Sequence, residues 1–186
     1  MPLTFKPVPE PPADCDTLAA VRNAVPATKA AAAETADCCV RVLERTGRDA
    51  DGTELIRDRD DAATWLTFLR ALELVTDGED GYRRTDRELE LEAVRAAFRK
   101  RVYGVGSILE ALDAAAEPLS ATAVADRVQS QSQSQPQPQS RSQSSSRRRV
   151  QPDRVERVLE WAVLLGLAER RERADEIAYR AIATSS

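Results

Sequence analysis

A helical segment that runs directly into a short hairpin occurs twice in this chain, and this repeat restricts its possible folds more than any other feature. The first copy is AATWLTFLRALELV followed by TDGEDGYRRT, and the second is RVERVLEWAVLLGLAE followed by RRERADEIAYRAI, over residues 62–85 and 154–182. Each helix ends at a Leu-x-Leu step and continues through a charged turn into a Tyr-Arg strand. The repeat predicts two small, mainly helical modules, each closed by a β-hairpin.

Apolar spacing indicates which side of each repeated helix is buried. Side chains at i, i+3, i+4 and i+7 lie on one helical face. In the first copy this face is formed by Trp65, Phe68, Leu69 and Leu72; in the second it is formed by Val155, Val158, Leu159, Ala162 and Leu165. We expect both tryptophans, Trp65 and Trp161, to be core residues. Gly166 followed by Leu167 is typical of a glycine that ends a helix with an apolar residue after it.

The rest of the chain divides by composition and by helix start signals. Asp60 or Asp61 is expected to cap the first repeated helix, Thr85 with Glu88 forms a capping-box pattern, and Ser107 is a further candidate cap. A helix is also expected from about Thr28 to Thr46. The predicted organisation is a disordered Pro-rich tail (1–13), a first module (14–85), a connector helix (86–103) and a second module (104–183) with a disordered Gln/Ser/Arg insertion (129–150).

The residue types present argue against catalysis and against a bound cofactor. The chain has no histidine, so it has no Ser-His-Asp or Cys-His arrangement, and it has no glycine-rich phosphate-binding motif. Three cysteines without histidine make a zinc site improbable. We therefore expect a non-enzymatic protein with no cofactor and no metal.

Membrane insertion and secretion are likewise not expected. The longest apolar run, WAVLLGLA, is far shorter than a membrane span. The N-terminus lacks the apolar core of a secretory signal. A soluble cytoplasmic protein with no membrane partner is the resulting expectation.

Over most of residues 15–183, excluding the tail and the Gln/Ser insertion, the chain resembles the tandem winged-helix (helix-turn-helix) proteins of halophilic archaea. The resemblance is carried by WLTFLRALELV with GYRRT, by FRKRVYG, and by VLEWAVLLGLAER with AYR. A composition with only three lysines but 24 arginines and 31 acidic residues is similar to that of halophilic proteins. The resemblance implies two winged-helix modules joined by a connector helix, in which each repeated helix is a recognition helix and each hairpin a wing.

The distribution of charge indicates which module binds DNA. Residues 1–90 carry 12 basic and 19 acidic residues, whereas residues 91–186 carry 15 basic and 12 acidic. A basic recognition helix and wing suit contact with the major groove and the neighbouring phosphates. DNA is therefore the expected partner of the second module, in a transcription regulator. The residues expected to contact it are Arg147, Arg148, Arg149, Arg154, Arg157, Arg170, Arg171 and Arg173.

The first module is a weaker candidate for DNA binding because acidic residues surround its repeated helix and its hairpin. It is instead a candidate for a protein partner or a homodimer contact. Two other readings stay open: a tandem winged-helix scaffold for protein assembly, and a thiol-based sensor that uses the adjacent Cys38 and Cys39.

Overall fold

The computed structural model describes residues 4–28, 31, 37–46, 55–79, 81–86, 89–134, 150–173 and 176–182. These residues contain seven helices and two antiparallel two-stranded sheets. The chain divides into two compact units, Met1–Val105 and Gly106–Ser186. The mainly helical fold with two small hairpins is the one that the sequence predicts.

The described residues of the first unit form four helices of more than one turn and one hairpin, with an aromatic cluster among their buried side chains. Phe68 lies edge-on to Trp65 and to Phe98, with ring centroids 6.5 and 6.3 Å apart. All three side chains are buried, so the core position expected for Trp65 is confirmed. The elements are α1 (Cys15–Ala24), α2 (Cys38–Thr46), α3 (Arg59–Ala71), β1 (Val75–Gly78), β2 (Gly81–Arg84) and α4 (Leu91–Arg101).

The second unit repeats this order with a longer hairpin. Trp161 is fully buried in it, as predicted. Leu119 pairs with Tyr179 in an isolated antiparallel bridge beside the hairpin, each N–H donating to the other residue's carbonyl at 2.9 and 2.8 Å. The elements are α5 (Val105–Asp113, starting at the last residue of the first unit), α6 (Ala121–Ser134), α7 (Pro152–Leu164), β3 (Ala168–Arg173) and β4 (Glu176–Ala181).

The helix stop predicted at Gly166 is confirmed in the structure. Gly166 has a φ of 66°, in the left-handed region. Its N–H donates to the Val163 carbonyl at 2.9 Å, and the N–H of Leu167 donates to the Ala162 carbonyl at 2.7 Å. These two bonds define a Schellman motif, which satisfies the last carbonyls of α7 and turns the chain into β3.

The end of α3 has the same geometry, but the left-handed residue there is not glycine. Glu73 has a φ of 61°. Its N–H donates to the Arg70 carbonyl at 3.2 Å, and the N–H of Leu74 donates to the Leu69 carbonyl at 3.0 Å. Both helices therefore end in the same motif, and Glu73 occupies the position that Gly166 occupies in the second unit.

The predicted disorder of the 1–13 tail is wrong for its described part, residues 4–13. Phe5 forms a parallel bridge with Val102 of the first unit. Val8, Pro9 and Pro12 are buried. The tail is ordered because apolar side chains spaced between the prolines pack on the unit while the Phe5 backbone bonds to the end of α4.

Several predicted helix starts are also corrected. Asp58, rather than Asp60 or Asp61, caps α3 and accepts from the N–H of both those residues at 2.9 Å. The expected helix over 28–46 is not continuous, because Asp37 lies outside it and its carboxylate accepts from the Cys39 N–H as α2 begins. A carboxylate that bonds to free N–H groups starts a helix at the residue that follows it.

Two other residues that were predicted to start helices, Thr85 and Ser107, do not do so in the folded structure. Thr85 does not cap the helix that follows, because that helix, α4, starts at Leu91 with Glu90 at its N-cap position. The Thr85 hydroxyl instead lies within hydrogen-bond distance of the carbonyls of Glu73 and Leu74, to which it can donate. Helix α4 packs into the first unit. Ser107 is an interior residue of α5.

The Gln/Ser/Arg insertion is partly helical, which corrects the prediction of disorder over 129–150. Helix α6 continues to Ser134, and residues 135–149 lie outside the described residues. The N–H of Val150 donates to the side-chain oxygen of Gln129 at 3.1 Å. This bond brings the two ends of the insertion together.

Candidate nucleic-acid interface

Helix α7 carries the first pair of predicted arginines. Its buried residues are Val155, Val158, Leu159, Trp161 and Ala162. Arg154 and Arg157 are both partly exposed. Pro152 stands at the first turn, where the missing N–H of proline costs no hydrogen bond.

Acidic side chains share the solvent side of α7 with these arginines, a feature that the prediction from sequence missed. Asp153 and Glu156 are exposed, and Glu160 follows one turn later. The signal was present, since the three carboxylates stand at i, i+3 and i+7 and so follow one helical face. The outward side of α7 therefore alternates in charge.

Two of the predicted arginines on the second hairpin, Arg170 and Arg171, are ion-paired. Arg170 lies 3.6 Å from Glu160 and 3.4 Å from Glu172, and its side chain is 40% exposed. Arg171 pairs with Glu169 at 2.7 Å. For Arg173 only the backbone is described, and it pairs with Glu176 in the strand register. The other three predicted arginines lie outside the described residues: Arg147, Arg148 and Arg149.

Glu160 joins the hairpin to α7. The buried phenol of Tyr179 donates to Glu160 Oε1 at 2.5 Å, and the same carboxylate oxygen faces Arg170. Burial and the neighbouring Glu160 carboxylate raise the pKa of the Tyr179 phenol well above its ordinary value. The phenol stays protonated and keeps its hydrogen bond, so the base of the hairpin is held against the helix.

The second unit has the order of elements of a winged helix. Its three helices are α5, α6 and α7, the bridge residue Leu119 lies between the first two, and the hairpin follows the third. Residues 3–181 match the family described as Halobacterial double winged helix domain. The chain belongs to this family. No match was found among curated proteins or among solved structures. In the part of the double winged helix domain that the structure describes, no helix is long and apolar enough to cross a membrane.

The net charges of the two units of the double winged helix domain differ from those of the two halves of the sequence. The second unit, 106–186, carries 11 basic and 11 acidic residues and is neutral. The excess of positive charge after residue 90 comes from Arg95, Arg99, Lys100 and Arg101 of α4, which pack with the first unit. The positive excess of the C-terminal half of the sequence therefore does not belong to the second unit.

The recognition-helix side of the first unit is strongly engaged in internal contacts. Arg70 pairs with Asp77 at 3.1 Å, and its guanidinium lies 5.6 Å from the centre of the Phe5 ring. Arg59 pairs with Asp37 at 2.6 Å. Both arginines are thus paired with carboxylates inside the first unit.

The cysteines are placed as small packing residues. Burial, reinforced by Asp37, raises the pKa of the Cys39 thiol, and burial with Asp14 raises that of Cys15. A raised pKa suppresses the reactive thiolate. The described residues contain no cluster of three or more His, Cys, Asp or Glu side chains suited to a metal ion.

Proposed function

We propose that the protein is a non-enzymatic DNA-binding regulator of transcription, acting in the cytoplasm and contacting DNA through its second unit. The observation that supports this proposal is that α7 carries two partly exposed arginines, Arg154 and Arg157, and is followed by a hairpin that carries Arg170 and Arg171. In a winged helix, the third helix enters the major groove while a basic hairpin can lie along the neighbouring backbone.

The internal ion pairs of the hairpin are weak enough to be exchanged for phosphate. Arg171 is 55% exposed and its partner Glu169 is 40% exposed. An exposed pair of this kind contributes about 0–1 kcal/mol. Exchange of a carboxylate for a phosphate therefore costs little, and the arginines remain available to DNA.

Neighbouring acidic and basic residues on α7 allow a test with matched variants. Fluorescence anisotropy of a labelled mixed-sequence duplex, titrated with the full chain at several salt concentrations, measures binding. Arg154→Gln/Arg157→Gln should weaken binding and lower the slope of log affinity against log salt by about 2 if both arginines contact phosphate. Asp153→Asn/Glu156→Gln removes charge of the opposite sign from the same helix and should tighten binding.

The two variants change affinity in opposite directions only if α7 faces DNA. Equal affinity for wild type and both variants would exclude α7 as the DNA contact. Absence of any binding down to low salt would reject the DNA proposal as a whole.

A protein-interaction scaffold is the second candidate. It is favoured by the alternating charges on α7 and by the neutral second unit, since mixed-sign surfaces suit a protein partner of complementary pattern better than a uniformly negative duplex. A partner that co-purifies in stoichiometric amount, and is lost on Asp153→Asn/Glu156→Gln, would support the scaffold.

A further inference from the structure

The last turn of α4 is strongly basic and faces solvent. Arg99 and Lys100 are exposed, and Arg101 follows them. Among the residues that the structure describes, neither Arg99 nor Lys100 has a carboxylate within ion-pair distance, whereas Arg170 and Arg171 on the second hairpin both do. The side chains of Arg99 and Lys100 are thus already available to an external anion.

The N-terminal segment brings another cation to the end of α4. The Phe5 N–H donates to the Arg101 carbonyl at 2.8 Å, and the Tyr103 N–H donates to the Phe5 carbonyl at 2.9 Å. This pairing holds the next residue, Lys6, with its Nζ 5.8 Å from the centre of the Tyr103 ring. Tyr103 is itself 54% exposed, the largest exposure among the bulky apolar and aromatic side chains described.

The segment is anchored on the other side as well, so the position of Lys6 does not depend on Tyr103 alone. The Phe5 ring lies 5.2 Å from the guanidinium carbon of Arg101 and 5.6 Å from that of Arg70. Arg101 is held in turn by Glu73 at 2.8 Å. The backbone bonds and the two guanidinium contacts fix the segment against the end of α4.

Basic residues in the last turn of a helix also stabilise it, because they oppose the negative end of the helix dipole. That role explains why Arg99 and Lys100 stand near the end of α4. It does not explain why a separate segment brings Lys6 to the same end, next to an exposed tyrosine. Basic side chains clustered on one face are the electrostatic footprint of a surface that binds nucleic-acid phosphates.

We propose that Lys6, Arg99 and Lys100 form a basic patch that binds the phosphate backbone of duplex DNA independently of base sequence, with Tyr103 at its edge. The proposal adopts DNA as the ligand from the proposed function, but it places a contact on the first unit rather than on α7. The patch positions no side chain in a groove, so it supplies affinity and leaves sequence preference to other residues.

Arg99→Gln/Lys100→Gln in the full chain tests this basic patch. Each lost phosphate contact lowers the slope of log affinity against log salt by about 0.9, so the double variant should lower it by about 1.8. At about 0.2 M salt this corresponds to about 15- to 20-fold weaker binding. The loss should be equal for duplexes of different sequence, and Lys6→Gln should add a further decrease of about 0.9.

The charge-conserving variant Arg99→Lys/Lys100→Arg is the matched control and should bind with the wild-type slope. Urea unfolding of both variants separates a change in stability from a change in binding. An unchanged slope in Arg99→Gln/Lys100→Gln would overturn the basic patch even if α7 variants lose binding. A loss confined to this double variant, with α7 variants unaffected, would support the patch and reject the second unit as the DNA contact.

Discussion

Replacing Glu73 with glycine should give a more stable protein than replacing it with alanine, which reverses the order found inside helices. In a helix interior, glycine is about 1 kcal/mol less favourable than alanine. Glu73 instead lies just after α3 with a φ of 61°, where a side chain is strained and glycine is not.

The expected difference follows from two opposing terms. A left-handed backbone costs a residue with a Cβ about 1–2 kcal/mol. Glycine gains more freedom in the unfolded chain, which offsets about 0.4–1 kcal/mol of that advantage. Both variants lose the ion pair between Glu73 and Arg101, so its contribution cancels. Glu73→Gly should therefore be more stable than Glu73→Ala by about 0.5–1 kcal/mol.

The two tryptophans allow this measurement on the full chain. Trp65 lies in the first unit and Trp161 in the second, and the chain has no other tryptophan. In a Trp161→Phe background, urea unfolding followed by fluorescence reports the unit that contains Glu73. In thermal unfolding, the same difference should appear as a shift of about 2–5 °C for a unit of this size.

The second unit provides the control. Gly166 has a φ of 66° at the equivalent position, so Gly166→Ala should destabilise the second unit by a similar amount, read from Trp161 in a Trp65→Phe background. If Glu73→Ala proves as stable as Glu73→Gly or more so, the left-handed backbone at Glu73 is not the source of strain that we infer.

Three further outcomes are expected in urea unfolding. Tyr179→Phe removes a hydrogen bond to the Glu160 carboxylate and should cost about 1.5–3 kcal/mol at neutral pH; because the folded-state pKa of the phenol is raised, wild type should also lose stability as the pH rises past about 10, and the variant less so. Gly81→Ala introduces a Cβ that lies 3.2 Å from Cys38 Sγ, on a residue with a φ of 93°, and should lower the free energy of unfolding by about 1–3 kcal/mol. Adding Cys38→Ala should recover only the part that comes from the clash with Sγ, because the strain of the positive φ remains. Backbone hydrogen bonds lower the pKa of Asp14, so its contribution is present above about pH 4 and is lost as the pH falls through its folded pKa; Asp14→Asn should flatten the acid decline in stability, and an unchanged decline would contradict this.

Local signals in the sequence were sufficient to predict the repeated architecture. The apolar spacing of α3 and α7, the Asp-Gly turn before Tyr82, and the helix stop at Gly166 each act within a few residues. Such features depend on side chains that are neighbours along the chain, so they can be recognised before any tertiary contact is known.

Helix starts were less predictable because several polar residues could serve as caps. Asp58, Asp60 and Asp61 are chemically equivalent candidates, and only the path of the chain into α3 selects Asp58. Thr85 has the residue type of a cap, but the helix that follows starts six residues later, at Leu91, and the Thr85 hydroxyl lies against the carbonyls of Glu73 and Leu74.

By itself the sequence determined the repeated helix-and-hairpin pattern, because apolar periodicity and turn residues specify local structure. Only the tertiary structure decided which charges are available: it joined α4 to the first unit, paired Arg170 with Glu160, and brought Lys6 beside Tyr103. Ion pairing depends on distances of a few ångströms between residues far apart in the chain. The number of arginines in a segment therefore does not reveal how many of them can meet a phosphate.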